Sequence, residues 1–297
     1  MNENNTGVPE GRILTDVTAS IMVTEEWITG YNHGSRILEN KIFINGANLT
    51  IAVDGFTVQY CKFFGKSALS LFPNSGSLPL GKKVRVLYCE FDGNHENTGG
   101  DIAIYGSSIT MKRVHVHRWP RAMWIGDGDV TVEECYMHDI TADGGGAHLE
   151  NIYVAGGANQ HYIRNKLITN EIHINGDSSL MTSASLAIYN ENYDRGSPFP
   201  PGFPDLDNIH VEDNYFESDG YFALYCGACP GKTGAYAKNM VIRGNVFGRT
   251  TGAGGSAVCF DPSQPGNIWE NNTWGPKGPS TLTTAPAEGT EISAPGP

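Results

Sequence analysis

The chain has 297 residues, with 20 Lys and Arg against 32 Asp and Glu, a formal net charge of −12 and a sequence pI near 5.1. Only 18% of residues are charged and 10% are aromatic, while Gly reaches 37 and Asn 24. This excludes a coiled coil, which needs far more Ala, Glu, Lys and Leu, and it excludes wholesale disorder. The acidic balance lacks the basic footprint that nucleic acid requires. No apolar run approaches the roughly 20 residues of a membrane span. Neither nucleic acid nor membrane insertion is therefore expected.

In chain order, Met1 to Arg12 is polar and has no apolar h-region, so no secretory signal peptide is expected. Residues 1–30 are expected to form a lead-in cap. From residue 31 to 276 one pattern recurs: apolar, two variable residues, an anchor, one variable residue, apolar. It reads Val58-x-x-Cys61-x-Phe63, then Val86-x-x-Cys89-x-Phe91, Met111-x-x-Val114-x-Val116 and Val132-x-x-Cys135-x-Met137. It continues as Ile163-x-x-Lys166-x-Ile168, Val211-x-x-Asn214-x-Phe216, Ile242-x-x-Asn245-x-Phe247 and Trp269-x-x-Asn272-x-Trp274. A weak copy, Ile188-x-x-Glu191-x-Tyr193, fills the one double-length gap. The flanks alternate apolar and polar residues at period two, are rich in β-branched types, and are punctuated by Gly, Asn, Asp and Pro. Short strands repeating about every 25 residues predict an all-β solenoid, one coil per repeat and about 9–10 coils in all. A propeller blade would need about 40–45 residues. Residues 277–297, rich in Pro, Thr, Ala and Gly, read as a flexible tail.

In a parallel solenoid, equivalent residues stack at about 4.8 Å. The anchor column then reads Cys61, Cys89, Val114, Cys135, Lys166, Asn214, Asn245 and Asn272. Buried Asn214, Asn245 and Asn272 should bond to neighbouring backbone. Val132, Cys135 and Met137 should be buried, with Val114 beside Cys135. The other cysteines, Cys226, Cys229 and Cys259, leave free thiols and a bridge from Cys259 to either of the others both open.

If the residue two after the anchor points inward, the residues one and three after it point outward. Three adjacent coils then present Glu90, Asp92, His115, His117, Tyr136 and His138 on one face, accessible to solvent. Carboxylates beside imidazoles suit acid/base chemistry or a divalent ion, and they also make an ordinary solvated face. Glu90, Asp92, His115, His117 and His138 are the catalytic candidates. Arg118, Trp119, Arg121, Trp124, Asp143, His148 and Glu150 are the glycan-binding candidates, because Trp faces beside charged groups suit sugar rings. No cofactor and no metal site is assigned. The lone pair Cys226 and Cys229 lacks the second pair that structural zinc needs.

The segments Asn5–Gly11 (NTGVPEG), Arg113–Arg118 (RVHVHR), Gly146–Ile152 (GAHLENI), Ala223–Gly227 (ALYCG), Gly244–Arg249 (GNVFGR) and Gly266–Trp274 (GNIWENNTW) carry a resemblance. Together they resemble the right-handed parallel β-helix proteins of actinobacteria and their phages, within the pectate-lyase-like superfamily. The resemblance implies a single-domain right-handed parallel β-helix. It also implies a virion location and a minor-tail or tail-fibre role. The implied partners are other virion proteins, host-surface glycan and further copies of the chain, most simply as a trimer. The alternative is a polysaccharide lyase or glycoside hydrolase. Where the family often carries His-x-Asp-Gly-Ile-Gln, this chain has His148-Leu149-Glu150-Asn151-Ile152-Tyr153, so Glu150 stands in the acidic place.

Overall fold

Each repeat turns a period-two sequence into three short strands, and each strand pairs only with its counterparts one coil away. The computed structural model describes residues 1–71, 83–97, 101–126, 128–142, 149–169, 172–174, 182–189, 205–218, 222–227, 237–248, 256–276 and 286–295. Three parallel sheets of ten, nine and nine strands run along the molecule and make it a parallel β-helix. The ten-stranded sheet follows the anchors and is called here the anchor sheet. The second sheet follows it in each coil, and the third sheet leads into the next anchor.

The interior is a set of single-file stacks. Down the anchor sheet, Phe43, Phe63, Phe91, Val116, Met137, Leu167, Phe216 and Phe247 all point inward and are buried. The Phe43 and Phe63 rings lie 4.6 Å apart and 3° from parallel, and Phe63 and Phe91 lie 4.4 Å apart. Coil stacking at the strand spacing makes these offsets unavoidable when one residue type repeats at one position. Val132, Cys135 and Met137 are fully buried as the pattern requires, and Val114 is buried in the same column as Cys135.

The corner before the anchor sheet repeats from coil to coil. The residue preceding each anchor is left-handed: Asn40, Tyr60, Tyr88, Arg113, Glu134, Arg164, Asp213 and Asn271 all have φ between 52° and 56°, and Gly244 has 66°. For a non-Gly residue this conformation costs roughly 1–2 kcal/mol. The corner is held because its backbone N–H still bonds to the next coil, as in Tyr88 N to Lys112 O at 3.0 Å and Arg113 N to Glu133 O at 3.1 Å.

The anchors complete the corner. Asn245 Oδ1 accepts from Asn214 N at 3.0 Å, and Asn272 Oδ1 accepts from Asn245 N at 3.0 Å. Each amide also donates to a backbone carbonyl, Asn214 to Tyr162 O and Asn245 to Val211 O, both at 2.8 Å. The ladder reaches one coil further than the pattern suggested. The anchor of that coil is Asn165 and not Lys166, since Asn165 Oδ1 accepts from Cys135 N at 2.9 Å and Asn165 N donates to Asn214 Oδ1 at 2.8 Å. Apolar Ile163 and Ile168 mimic the pattern one residue out of step, while Tyr162 and Leu167 occupy the buried positions. The copy read at Ile188 is also corrected. Ile188 ends the second-sheet strand Thr182–Ile188, so Asn165 to Asn214 is one long coil. Glu191 and Tyr193 lie outside the described residues.

The ends differ from expectation as well. Thr15–Val17 already pairs with Lys41–Phe43 in the anchor sheet, so the first coil begins inside the segment expected to be cap. The cap itself is the α-helix Glu25–Tyr31, N-capped by Thr24, which buries Ile28 and sets Trp27 edge-on to Phe56. At the other end, the tail expected to be free returns to the last coil. Ile292 N bonds Asn272 O at 2.7 Å, Trp269 Nε1 bonds Ile292 O at 2.7 Å, and Thr273 bridges Glu291 antiparallel. The last coil offers an unpaired strand edge and a half-covered Trp269, and Ile292 satisfies both.

Replacing Asn245 by Ala strips partners from the buried Asn214 N and Val211 O. It should lower the unfolding free energy by about 2–4 kcal/mol, read from denaturant midpoints. Gln59→Ala, at an exposed side-chain bond to Glu39, should change it by less than about 0.5 kcal/mol.

Candidate functional site

Register carries the polar face into place. Glu90, His115 and Tyr136 are Cα partners across three coils, and so are Asp92, His117 and His138. Phe91, Val116 and Met137 point inward between them. The outward columns are therefore those expected from period two.

Their exposure is not. Asp92, His115 and His117 are outward but only 5–7% exposed. The chain's own N-terminal segment covers His115, and Lys62 and Arg118 close over Asp92. Gly7 N donates to Arg113 O at 2.9 Å, which pins the segment to the corner of this coil. Gly7 has φ +77°, and a Cβ there would stand 3.1 Å from the Cβ of His115 and 3.7 Å from that of Glu90. Thr6 is buried beside it, and the Glu3 carboxylate is close enough to act on the charge of His138. The expectation of a solvent-accessible face is corrected for Asp92, His115 and His117, while Glu90 and His138 stay partly exposed; the residues lie side by side as expected.

Beneath the strap the groups pair with one another. His115 Nε2 and His138 Nε2 are 2.9 Å apart, so one ring donates and the other accepts. His117 Nε2 lies 3.3 Å from Glu90 Oε1, and its Nδ1 lies 4.0 Å from Asp92 Oδ1. Lys62 Nζ reaches Glu90 Oε1 at 2.9 Å and Asp92 Oδ2 at 3.6 Å, and Arg118 Nη1 reaches Asp92 Oδ1 at 3.4 Å. The imidazoles are near-parallel, with His115 and His117 centroids 4.3 Å apart and His117 and His138 5.6 Å apart. Burial, reinforced by the neighbouring imidazoles, depresses His115 to about 3 and His138 to about 4. Burial resists the charge on Glu90, but hydrogen bonds from His117 and Lys62 outweigh it and hold the carboxyl at about 2. The site thus sets two neutral imidazoles, His115 and His138, beside a firmly ionised carboxylate. The donor atoms of His115, His117 and His138 all lie within 4.8 Å of one another, as do those of Glu90, Asp92 and His117.

The other candidates separate from this cluster. Arg118 stays on its rim, also reaching Asp139 at 3.6 Å, and His95 Nε2 meets the same Asp139 at 3.7 Å. Trp119 belongs to the hydrophobic core, and its Nε1 is buried without a hydrogen-bond partner. Trp124 is buried on the outer side of the second sheet, stacked 4.6 Å from Tyr105 and 6.4 Å from Tyr153. Its faces are covered by these rings, so neither Trp offers a platform to a sugar. Arg121 forms a salt bridge with the fully buried Glu150 at 3.0 Å and lies over Tyr153. That pair is a corner brace and not an exposed acidic site. Asp143 and His148 lie outside the described residues. Cys226 is a buried free thiol and Cys259 is disulfide-bonded, which removes the Cys226–Cys259 pairing; Cys229 lies outside the described residues.

The strap and the ion pairs from Lys62 and Arg118 were missed from the sequence. Lys62 is the Cα partner of Glu90 in the same outward column, and only the charge order down that column, Lys62 then Glu90 then His115, points to pairing. Nothing in Asn2 to Gly7 indicated where it would lie. Comparison with protein-family models, with curated proteins and with solved structures finds no match.

The depressed histidines make a pH prediction. Below about pH 6.5 the unfolded chain protonates its histidines, while folded His115 and His138 stay neutral until about 3 and 4. The unfolded state then holds more protons, so stability should fall as pH is lowered from 6.5 toward 4. Between about 4.5 and 2 Glu90 adds a loss of the same sign. Denaturation midpoints across pH 7.5 to 4.5 should drop, and His138→Asn should flatten the slope. An unchanged slope in the variant would place the acid sensitivity elsewhere.

Proposed function

We propose that this chain is a structural and adhesive protein: a rigid β-helical component of a virion tail or tail fibre that meets host-surface glycan. The observation that carries this reading is the closure of the polar face. A polysaccharide lyase or hydrolase needs its acid and base open to a chain-like substrate. Here Glu90 and Asp92 are held by Lys62, Arg118 and His117, and His115 lies under Gly7. The resemblance to phage β-helix proteins supports the same reading. So does a frame whose buried polar anchors bond to one another from coil to coil, which suits a load-bearing rod.

Glycan contact falls to groups outside the buried cluster. Among the described candidates Arg118, with its side chain about one third exposed, is the one that stays available. Partners are other virion proteins and further copies of this chain. Light scattering on the purified protein should give a trimer mass.

The test is a screen of bacterial envelope polysaccharides read twice, for retention of the protein and for new reducing ends or unsaturated products. Retention without products is expected, both for the full chain and for a variant lacking residues 1–8. Products from either would establish the enzyme reading, and neither retention nor products would remove the adhesive one.

A further inference from the structure

Three nitrogen donors from two adjacent coils converge on one face of the anchor sheet. We propose that His115, His117 and His138 form a site for a divalent transition-metal ion of the zinc, nickel and copper class, roofed by the N-terminal segment. The proposal is independent of the tail-protein reading, because it concerns what the folded chain holds in solution.

The fold imposes the convergence. His115 and His117 sit two apart on one strand and so face the same way, and His117 and His138 are direct Cα partners in the next coil. One ring nitrogen from each residue lies within 4.8 Å of the other two, with His115 Nε2 and His138 Nε2 2.9 Å apart. Around an ion with metal–nitrogen bonds of about 2.0–2.1 Å, tetrahedral ligands stand roughly 3.3 Å from one another. Binding therefore requires the rings to turn about the Cα–Cβ and Cβ–Cγ bonds until the three nitrogens reach that spacing.

The surroundings suit a cation. Whichever nitrogen of His117 turns to the ion, its other nitrogen has a carboxylate within 4.0 Å, Glu90 at one end and Asp92 at the other. Such carboxylate–imidazole pairs fix the orientation of a ligating ring and raise its basicity. The second cluster, Glu90, Asp92 and His117, fits an ion less well. Its oxygens already hold Lys62 and Arg118, and a hard cation such as Ca²⁺ wants six to eight oxygens. The imidazole set therefore selects a borderline-soft ion over Ca²⁺ or Mg²⁺. His161 and His210 also stack, 4.8 Å apart, but that pair has no third imidazole among the described residues and serves as an internal control.

The strap gives the site a kinetic property. Gly7 packs against His115, so residues near Thr6 and Gly7 narrow the access to the imidazoles, with His138 left partly exposed. Removing residues 1–8 should speed loss of the ion to a chelator and leave the bound stoichiometry at one.

The experiment uses the full chain without a histidine tag, stripped with chelator and dialysed. Zn²⁺, Ni²⁺ and Cu²⁺ are titrated by calorimetry and counted by elemental analysis after gel filtration. Co²⁺ is added as a spectroscopic probe of nitrogen coordination. One ion per chain is expected. His117→Ala and His138→Asn should each weaken binding by at least about tenfold, and His161→Ala should leave it unchanged. Far-UV circular dichroism checks that each variant is folded. His138→Asn, at the least buried of the three positions, keeps the test valid if His117→Ala unfolds. A folded parent that takes up no ion, or a folded His138→Asn variant that binds as the parent does, overturns the proposal.

Discussion

The rest of the structure depends on in-register stacking of one coil on the next. Parallel strands fix which residue lies over which, so a column is a physical object and not only an alignment. Where the sequence repeats a good stacker, as in Phe43, Phe63 and Phe91, the repetition compounds. The sharp corner before the anchor is the point of greatest demand. Eight non-Gly residues adopt a left-handed backbone there, and the anchors that follow must settle the polar groups the corner exposes. Cys does this weakly through its Sγ, as in Cys89 to Leu87 O at 3.4 Å. Asn does it fully, with a carbonyl for one coil and an amide for another. The change from a Cys column to an Asn column along the chain is thus a change from filling the corner to cross-linking it.

The same stacking rule concentrates charge on the outer face. A strand that must point Phe91, Val116 and Met137 inward has no choice about where it puts Glu90, Asp92, His115, His117 and His138. Outward groups ordinarily meet water, and in isolation this sheet face would. The N-terminal strap covers part of it, over His115. Under the strap, desolvation keeps two imidazoles neutral and pairing keeps Glu90 ionised, which is an environment for holding an ion and a poor one for admitting a polysaccharide.

A solenoid also has two ends at which stacking fails, and the chain treats both by covering them. The short helix at Glu25–Tyr31 lays Ile28 and Trp27 toward the first coils. At the far end, Ile292 and its neighbours supply the partners that a further coil would have supplied. Unpaired strand edges invite association with other chains, so these closures limit contact through the ends and leave the sides of the rod as its available surface.

The sequence by itself determined the columns. Period two and the recurring anchor identified the inward residues, the outward residues and the Asn ladder, because these follow from local alternation and coil spacing. The pattern slipped by one residue at Asn165, where two adjacent apolar residues, Leu167 and Ile168, satisfied both registers. It also read one long coil as two, since loop length leaves no mark on strand pattern. Only the tertiary structure decided the environment of each column. The burial of His117, the covered faces of Trp124, the brace between Arg121 and Glu150, and the return of Ile292 all depend on segments distant in sequence. Alternation states which side of a sheet a residue faces, and it carries no information about what else the chain lays upon that side.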